Sequence, residues 1–221
     1  MLSQAVEDYI KAIYRIRQSG QPASTSDIAR ALNVSAASVT NMAKRLAQLG
    51  LAEYESYQGV RLTETGNKVA LEIIRHHRLL ELYLRNVMGY PWDKVHEEAE
   101  LLEHHISEEF ERKIDEMLGH PTHDPHGDPI PTREGEIAER NTNPLAAVEP
   151  GTHVTIERVS DEDPKLLDHL ESLGLLPGAA LEVIGKEPFE GPLKIRLCDR
   201  EHILGYQLAN HIFVDVSTEK T

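Results

Sequence analysis

The sequence contains a single cysteine, Cys198, among its 221 residues. One cysteine cannot form an intramolecular disulfide or a thiolate zinc cluster, which excludes a disulfide-rich secreted scaffold and a zinc finger. The chain also lacks any run of 18 apolar residues, so no transmembrane helix is predicted. Its amphipathic start carries Glu7 and Asp8, unlike the basic and then apolar start of a signal peptide. Together these absences predict a cytoplasmic protein that does not enter a membrane.

Aromatic residues are scarce at 5%, whereas hydrophobic residues reach 40%, so we expect a core built mostly from aliphatic side chains. The chain is also poor in positive charge, with a formal net charge of -14. This deficit is uneven, because residues 1–70 carry a net charge of +2 and residues 71–221 one of -16. Affinity for DNA depends largely on Lys and Arg beside phosphates. The asymmetry suits a DNA-reading head on an acidic regulatory body, although acidic surfaces also serve solubility alone.

The order of elements in the first third of the chain predicts a winged helix-turn-helix. Apolar residues at helical spacing predict a helix over residues 3–18. Ser26 and Ser35 are each predicted to cap a helix, the first running through residue 32 and the second to about residue 49. Two short alternating strands about Gln58 and Gly59 predict a hairpin. Helix, turn, helix and hairpin, in this order, are typical of the winged helix-turn-helix.

The remaining chain predicts a helical body followed by a small β domain. We expect a long helix from Thr63 to about residue 88, a second over 92–118, and a short helix with a linker in 132–150. After residue 151, short strands with one helix among them predict a partly open β-barrel. The fold class is therefore mainly α with a small β domain. The expected domains are a winged helix-turn-helix (1–70), a helical domain (71–140), a linker (141–150) and a barrel (151–221).

The second helix of a helix-turn-helix lies in the major groove of DNA, and its first residues meet the base edges. Small polar side chains begin this helix, which lets it approach the bases closely. Asn41 can hold adenine by two hydrogen bonds, and the alanines can contact thymine methyl groups. An ordinary pair of packed helices would show the same spacing, but the hairpin and the charge asymmetry favour DNA binding. The predicted DNA contacts are Ser26, Ser35, Ala37, Ser38, Thr40 and Asn41, with Lys44, Arg45 and Arg61 as candidates for phosphate contacts.

Histidine is concentrated in the middle of the chain, where eight of the 12 histidines lie between His76 and His126. Neutral imidazole is the most common protein ligand of metal ions. If residues 92–118 form one helix, four side chains of KVHEEAELLEHHISEEF fall within an arc of about 100°. These four side chains are His96, Glu100, Glu103 and His104.

That arc borders an apolar stripe, and carboxylates that half face a core are unfavourable unless a positive charge lies beside them. A divalent cation would supply this charge. The preceding helix offers His77 and Glu81 on one face, four residues apart. A solvated face of an acidic helix is the ordinary alternative. Two such clusters on consecutive helices of a bundle favour a metal site.

No pattern in the sequence indicates catalysis. There is no HExxH, no Glu-x-x-His pair on two helices, no nucleophile with a base, and no glycine loop that would cradle phosphate. We therefore expect neither an enzyme nor a small organic substrate. Two alternatives remain open. One is a winged-helix regulator with a non-metal effector, and the other is a metalloenzyme or metal buffer with an incidental winged-helix domain, which would need an open coordination position.

Several segments together resemble the diphtheria-toxin-repressor family of iron- and manganese-dependent regulators, in particular its three-domain manganese type. The segments are VEDYIKAIY, SDIARALNVSAASVTNMAKRLAQLGL, HRLLELYL, KVHEEAELLEHHIS and DPHGDPIP. The resemblance covers nearly the whole chain. It implies a winged helix-turn-helix, a helical dimerisation and metal-binding domain, and a C-terminal SH3-like barrel. It also implies a homodimeric repressor that binds double-stranded DNA operators of manganese or iron uptake genes.

The resemblance implies a primary metal site formed by Asp8, Glu100, Glu103 and His104. Iron-type members of the family have methionine at the position of Asp8 and cysteine at that of Glu100. Hard oxygen ligands in place of soft sulfur suit Mn(II). Selectivity among divalent ions is not absolute, so Fe(II), Co(II), Zn(II) or Cd(II) is also expected to bind in vitro.

An ancillary metal site is implied too, and its ligand set stays open. The candidate ligands form two alternative sets, which are His77, Glu81 and His96, or Glu81 with Asp124 and His126, either one completed by Asp161 or Asp163 of the barrel. The two-domain manganese regulators of the family carry a glutamate where this chain has Lys11. An ammonium group has no lone pair to offer a metal. The closely spaced two-metal cluster of those members is therefore not expected here.

Overall fold

The structure, a computed structural model, describes residues 2–17, 22–55, 58–141, 143–161 and 163–216. Two compact units make up the chain. The first unit comprises Met1–His77, Glu100–Glu111 and Pro131–Ile137, and the second comprises Arg78–Ala99, Arg112–Ile130 and Ala138–Thr221.

The first unit begins with the predicted order of helices and hairpin. Its elements are α1 (Gln4–Arg17), α2 (Thr25–Ala31), α3 (Ala36–Gln48), β1 (Ala52–Glu55) and β2 (Gly59–Leu62). The two strands pair antiparallel, with Ala52 opposite Leu62. Their shared core is largely aliphatic, as the composition predicts, and it includes Ile10, Ile28 and Leu46, each fully buried. The winged helix-turn-helix is confirmed.

Two serines cap the helices of this motif, and one of them is not the predicted residue. Ser35 has extended backbone and its hydroxyl accepts a hydrogen bond from the Ser38 N–H at 3.1 Å, as expected of the α3 cap. For α2 the prediction of Ser26 was wrong, because Ser24 has the extended backbone and accepts from the Asp27 N–H at 3.1 Å. Asp27 in turn accepts from the Ser24 hydroxyl at 2.6 Å, which places Ser26 inside the first turn.

The long helix begins where the sequence indicates. The Thr63 hydroxyl accepts a hydrogen bond from the Gly66 N–H at 3.1 Å, and α4 follows as Glu64–Asn86. The single helix predicted over residues 92–118 was wrong, because two helices stand there, α5 (Val95–Leu102) and α6 (Glu108–Met117). Ser107 starts the second of them by accepting a hydrogen bond from the Phe110 N–H at 3.2 Å. The apolar periodicity runs through this break and so conceals it.

The short helix predicted after residue 132 was also wrong. Within the described residues of this segment the only helical turn is a 3-10 turn at Leu145–Ala147. A tight turn precedes it, in which the Gly135 N–H donates to the Thr132 carbonyl at 3.1 Å with Gly135 at φ +79°. Positive φ interrupts a right-handed helix.

The small β domain lies in the second unit. Its elements are β3 (Thr152–Val159), α7 (Pro164–Leu173), β4 (Ala180–Lys186), β5 (Leu193–Leu197), β6 (Arg200–Leu204), α8 (Tyr206–Asn210) and β7 (Ile212–Val216). The strands form one antiparallel sheet in the order β6-β5-β4-β3-β7. Trp92, from the segment before α5, joins the core of this domain. The expected class, mainly α with a small β domain, is confirmed, whereas β6 and α8 were not predicted.

Candidate metal centre and DNA-binding face

The residues predicted to meet DNA lie on or next to α2, α3 and β2 of the first unit. Thr40 is half-buried and its hydroxyl donates to the Ala36 carbonyl at 3.0 Å. The Ser35 and Ser38 hydroxyls are 2.9 Å apart at the start of α3. The other predicted contacts are exposed, namely Ser26 on α2, Ala37, Asn41, Lys44 and Arg45 on α3, and Arg61 on β2. Their exposure leaves these side chains accessible to a duplex.

Three of the four residues predicted for the primary metal site meet in the first unit. Asp8 stands on α1, while Glu103 and His104 stand in the turn after α5. One potential ligand atom from each of the three lies within 4.8 Å of the others. His104 Nε2 is 2.9 Å from Asp8 Oδ1 and 3.3 Å from Glu103 Oε1. The structure therefore gathers two carboxylates and an imidazole beside α1, the first helix of the winged helix-turn-helix.

The helical arc used to group these residues was wrong for two of them. Helix α5 ends at Leu102, so Glu103 and His104 project from a turn and not from a helix face. The turn brings both side chains to Asp8, which lies more than 90 positions away along the chain. Glu103 and His104 stay together because neighbouring positions in a turn are close in space, whereas His96 of the predicted arc lies beside Glu81 in the second unit.

A contact with Glu7 indicates which ring nitrogen of His104 carries a proton. Its Nδ1 is 2.6 Å from Glu7 Oε2, and a carboxylate only accepts, so Nδ1 carries the proton. Nε2 is buried and has no hydrogen-bond partner among the described residues, and it faces the two carboxylates of Asp8 and Glu103. Three electron-rich atoms in contact fit a cation among them. A histidine that donates its second N–H to a carboxylate is typical of a metal ligand.

Glu100, the fourth predicted ligand, is held by cations. Its Oε1 accepts from Lys11 Nζ at 2.8 Å and lies 3.7 Å from Arg15. Burial opposes the charge of this carboxylate, but Lys11, His77 and Arg15 outweigh it and lower the pKa of Glu100 to about 2. Lys11 is 4% exposed and also donates to Glu103 Oε1. The ammonium group of Lys11 thus lies inside the acidic cluster.

Two neighbouring histidines hold Glu103 from the side of α4. His77 Nδ1 lies 2.5 Å from Glu103 Oε2, and His76 Nδ1 lies 3.3 Å from the Glu103 carbonyl. Burial works against ionisation of Glu103, yet His77 and Lys11 lower its pKa. In the first unit His77 therefore contacts the primary cluster, although the sequence offered it for the ancillary site.

The ancillary candidates of the second unit meet around Glu81, which is fully buried on α4. Potential ligand atoms of Glu81, Asp124 and His126 lie within 4.8 Å of one another, and those of Glu81, His96 and Asp161 do so as well. The His96 Nδ1 lies 3.0 Å from Glu81 Oε1 and 3.8 Å from Asp161 Oδ2. Glu81 is common to both groups, and we call the five side chains together the ancillary pocket.

Asp163, the other barrel acid proposed for this site, has a structural partner. Its side chain caps α7 by accepting a hydrogen bond from the Lys165 N–H at 2.9 Å. The groups of close ligand atoms among the described residues contain Asp161 and not Asp163.

The chemistry of the ancillary pocket fits a cation. His126 is fully buried, and neither of its ring nitrogens has a hydrogen-bond partner among the described residues. Burial raises the pKa of Asp124 well above its ordinary value, and the charges of Glu81 and Asp128 raise it further. Crowded carboxylates beside an imidazole with unsatisfied nitrogens are unfavourable without a positive ion.

Some residues of these sites escaped the sequence reasoning. Glu7 adjoins the predicted ligand Asp8, so its position on the same helix was a signal that could have been followed. Trp92 and Asp128 gave no such signal, because the Trp92 indole N–H donates to the Pro125 carbonyl and the Asp128 N–H donates to Asp124 only in the folded chain. The described residues contain no helix long and apolar enough to cross a membrane.

A winged helix-turn-helix with a carboxylate and histidine cluster at its first helix defines a metal-binding, DNA-binding protein. Residues 1–60 match the family described as "Iron dependent repressor, N-terminal DNA binding domain". Residues 63–132 match "Iron dependent repressor, metal binding and dimerisation domain", and residues 143–216 match "FeoA domain".

Full-length relatives give the same result. The chain is 31% identical over 195 residues to the iron-dependent repressor IdeR of Mycobacterium tuberculosis, covering 82% of this chain and 84% of the relative. A solved manganese-dependent transcriptional repressor in complex with manganese is 36% identical, with a TM-score of 0.88 over 96% of this chain and 99% of that one. ScaR with bound Cd2+ is 31% identical, with a TM-score of 0.79 over 95% of this chain and 98% of that chain. The chain belongs to the iron-dependent repressor family of metal-dependent transcriptional repressors.

Proposed function

We propose that this chain is a repressor activated by Mn(II), which binds palindromic operators of metal-uptake genes as a homodimer. The observation that carries the proposal is the cluster of Asp8, Glu103 and His104, in which α1, the first helix of the winged helix-turn-helix, contributes a candidate ligand beside two from the turn after α5. An ion held by all three would tie α1 to that turn. Metal would then control how the DNA-binding head is held.

The donor chemistry supports manganese. The potential ligand atoms of both clusters are oxygen and nitrogen only. Hard oxygen-rich sites suit Mn(II), whereas soft thiolate and thioether ligands favour other metals. The solved relative named as a manganese complex agrees with this choice, and the relative with bound Cd2+ shows that other divalent ions enter such proteins. Fe(II), Co(II), Zn(II) and Cd(II) are therefore proposed to bind in vitro.

Lys11 supports a single ion at the primary site. Asp8, Glu100 and Glu103 carry three negative charges, and Lys11 contributes one positive charge within hydrogen-bond distance of two of them. One divalent ion would bring this cluster to neutrality. A second would leave an excess of two positive charges in a mostly buried site, which is unfavourable. A second ion is proposed instead for the ancillary pocket, at Glu81, Asp124 and His126 with His96 and Asp161 nearby.

The proposed control is a shift in population. When bound, the ion supplies a positive charge that attracts Asp8, Glu103 and His104 together. Holding α1 favours the state in which the two recognition helices of a two-fold dimer reach major grooves about 34–36 Å apart. A ligand shifts an equilibrium only by its difference in affinity for the two states, and the effect is reciprocal. Operator DNA must therefore tighten metal binding by the factor by which metal tightens DNA binding.

This reciprocity provides the test. Free Mn(II) is followed by electron paramagnetic resonance during titration of the dimer, with and without an operator duplex. Wild-type protein should bind Mn(II) more tightly when the duplex is present, and Asp8→Ala should lose that gain. The matched control is Glu72→Ala, which removes an exposed carboxylate of α4 and should keep the gain. If Asp8→Ala kept the full gain, the role of α1 in the coupling would be refuted.

A further inference from the structure

The segment Asp124–Asp128 carries two of the ancillary ligand candidates, and it folds back on itself. Asp124 Oδ1 accepts hydrogen bonds from the backbone N–H groups of His126 at 2.8 Å and Asp128 at 2.9 Å. The Asp124 N–H donates in return to the Asp128 carbonyl at 2.9 Å. One oxygen of Asp124 is thus committed to the shape of the loop. The position of Asp124 as a candidate metal ligand therefore depends on the conformation of this loop.

Strand β3 holds this loop at its tip. The Val159 N–H donates to the His126 carbonyl at 2.9 Å. Gly127 has φ +89° and approaches the strand so closely that a Cβ atom there would stand 1.9 Å from the Glu157 carbonyl oxygen. Only glycine fits such a position, because both the backbone angle and the space exclude a side chain. The ligand loop and β3 are therefore in direct contact.

The carboxylate of Asp128 fastens the far end of the loop, and it is 1% exposed. Arg140 contacts both of its oxygens, at 2.5 Å and 2.7 Å. Arg158 of β3 lies 3.7 Å away and Arg78 of α4 lies 3.8 Å away. Arg158 is itself fixed, since its guanidinium stacks 3.6 Å from the ring centre of Phe213. We call this arrangement of Asp128 with Arg78, Arg140 and Arg158 the arginine clasp.

The imidazole of His126 is oriented by packing and not by its nitrogens. Its ring stacks on Trp92, with ring centres 5.3 Å apart and an interplanar angle of 27°. The Trp92 indole N–H donates to the Pro125 carbonyl at 3.1 Å, which fixes the indole against the same loop. The clasp and the stack together leave the His126 nitrogens available for an ion.

We infer that Asp128 is a positioning residue of the ancillary metal site, and that the arginine clasp makes strand β3 part of that site by holding Asp124 and His126 in place. The inference rests on the ancillary site of the proposed function. Loss of the Asp128 charge would release the loop and would also remove the carboxylate that Arg140 and Arg158 contact beside the cation site. Both effects weaken metal binding there, and neither alters the primary site.

The test isolates the ancillary site in a Glu103→Gln background, in which the primary cluster has lost a ligand. Mn(II) binding is measured by electron paramagnetic resonance, and Co(II) loading is followed by its visible absorption bands, which report ligand geometry. Asp128→Asn, which keeps the shape of the side chain, should weaken binding by about 10- to 100-fold, the range for residues that orient metal ligands. It should also change the Co(II) spectrum. Should Asp128→Asn prove unstable, Arg140→Met removes the nearest guanidinium from a one-third exposed side chain and should also weaken binding.

The control is Arg196→Met, which removes an exposed arginine paired with Glu182 on the same sheet and should leave binding unchanged. Rescue supplies a second criterion, since Arg140→Lys retains the charge and should recover part of the affinity that Arg140→Met loses. Unchanged Mn(II) affinity and Co(II) spectrum in Asp128→Asn would overturn the inference while leaving the ancillary site in place. If the Glu103→Gln background bound no Mn(II), the ancillary site itself would be refuted, and the inference with it.

Discussion

Glu111 of α6 contacts Arg75 and His76 of α4, and its removal should have a measurable effect on stability. The residue is 7% exposed, and its carboxylate accepts from Arg75 Nε at 2.6 Å. His76, which contacts the Glu103 carbonyl, lies beside its other oxygen at 3.6 Å. The neighbouring His76 lowers the pKa of Glu111 most, burial opposes it, and Arg75 adds to the lowering, so that the pKa falls to about 2.

The magnitude follows from this pKa. One pKa unit corresponds to about 1.4 kcal/mol, so a fall from the ordinary value of 4.5 to about 2 contributes about 3 kcal/mol to the free energy of unfolding at neutral pH. Because the pKa is lowered in the folded state, this contribution is complete above pH 4.5 and is lost as the pH falls through 2. By about pH 3 roughly half of it has gone.

The assay is chemical denaturation of metal-stripped protein followed by circular dichroism. Glu111→Gln should be less stable than wild type by about 3 kcal/mol at pH 7, and by about half of that near pH 3. Glu134→Gln, which alters an exposed acid of the same unit, is the control and should match wild type. A deficit that stays constant across this pH range would refute the electrostatic reasoning, because loss of packing alone does not depend on pH.

Three further predictions concern the metal site, the wing and a helix cap. In a His126→Ala background, which removes a candidate ligand of the ancillary pocket, Lys11→Glu should raise the number of bound Mn(II) ions from one per chain to two, counted by equilibrium dialysis. The reason is that the positive charge of Lys11, which limits the primary site to a single ion, is replaced by a negative one; an unchanged count would contradict this prediction. Arg61→Ala should weaken operator binding about equally for all sequences. It should also reduce the slope of log affinity against log salt concentration by about one, measured by anisotropy at several salt concentrations; an unaltered slope would show that Arg61 does not contact a phosphate. Ser24→Ala should lower the free energy of unfolding by about 1 kcal/mol, whereas Ser26→Ala should change it by less than about 0.5 kcal/mol, and the reverse order would restore Ser26 as the cap.

The parts of the fold that could be predicted are those that depend on a few neighbouring residues in the sequence. Ser35 and Thr63 cap helices where the sequence indicates, because a cap depends on a few adjacent residues. The same rule failed at α2, since Ser24 and Ser26 both suit a cap and only the reciprocal contact with Asp27 decides between them. Helix periodicity could not reveal the break after Leu102, because apolar spacing continues across it.

The primary metal site could be predicted only where its candidate ligands lie close together in the sequence. Glu103 and His104 are adjacent, so their residue types suggested metal chemistry, whereas Asp8 followed only from the resemblance of VEDYIKAIY to the repressor family. The position of Lys11 within the acidic cluster could not be predicted, since its partners lie about 90 residues away and the contact depends on tertiary packing. The same limit hid the clasp on Asp128, whose partner arginines come from three separate segments.

The most direct test of the account is fluorescence anisotropy of a labelled promoter fragment of a metal-uptake gene, at fixed salt. Metal-free wild-type protein is titrated with and without Mn(II), beside Glu103→Ala and the control Glu72→Ala. We predict tight binding by wild type and Glu72→Ala only when Mn(II) is present, and its loss in Glu103→Ala. Binding that is indifferent to Mn(II), or a Glu103→Ala variant that still responds to it, would contradict a repressor controlled through the primary site.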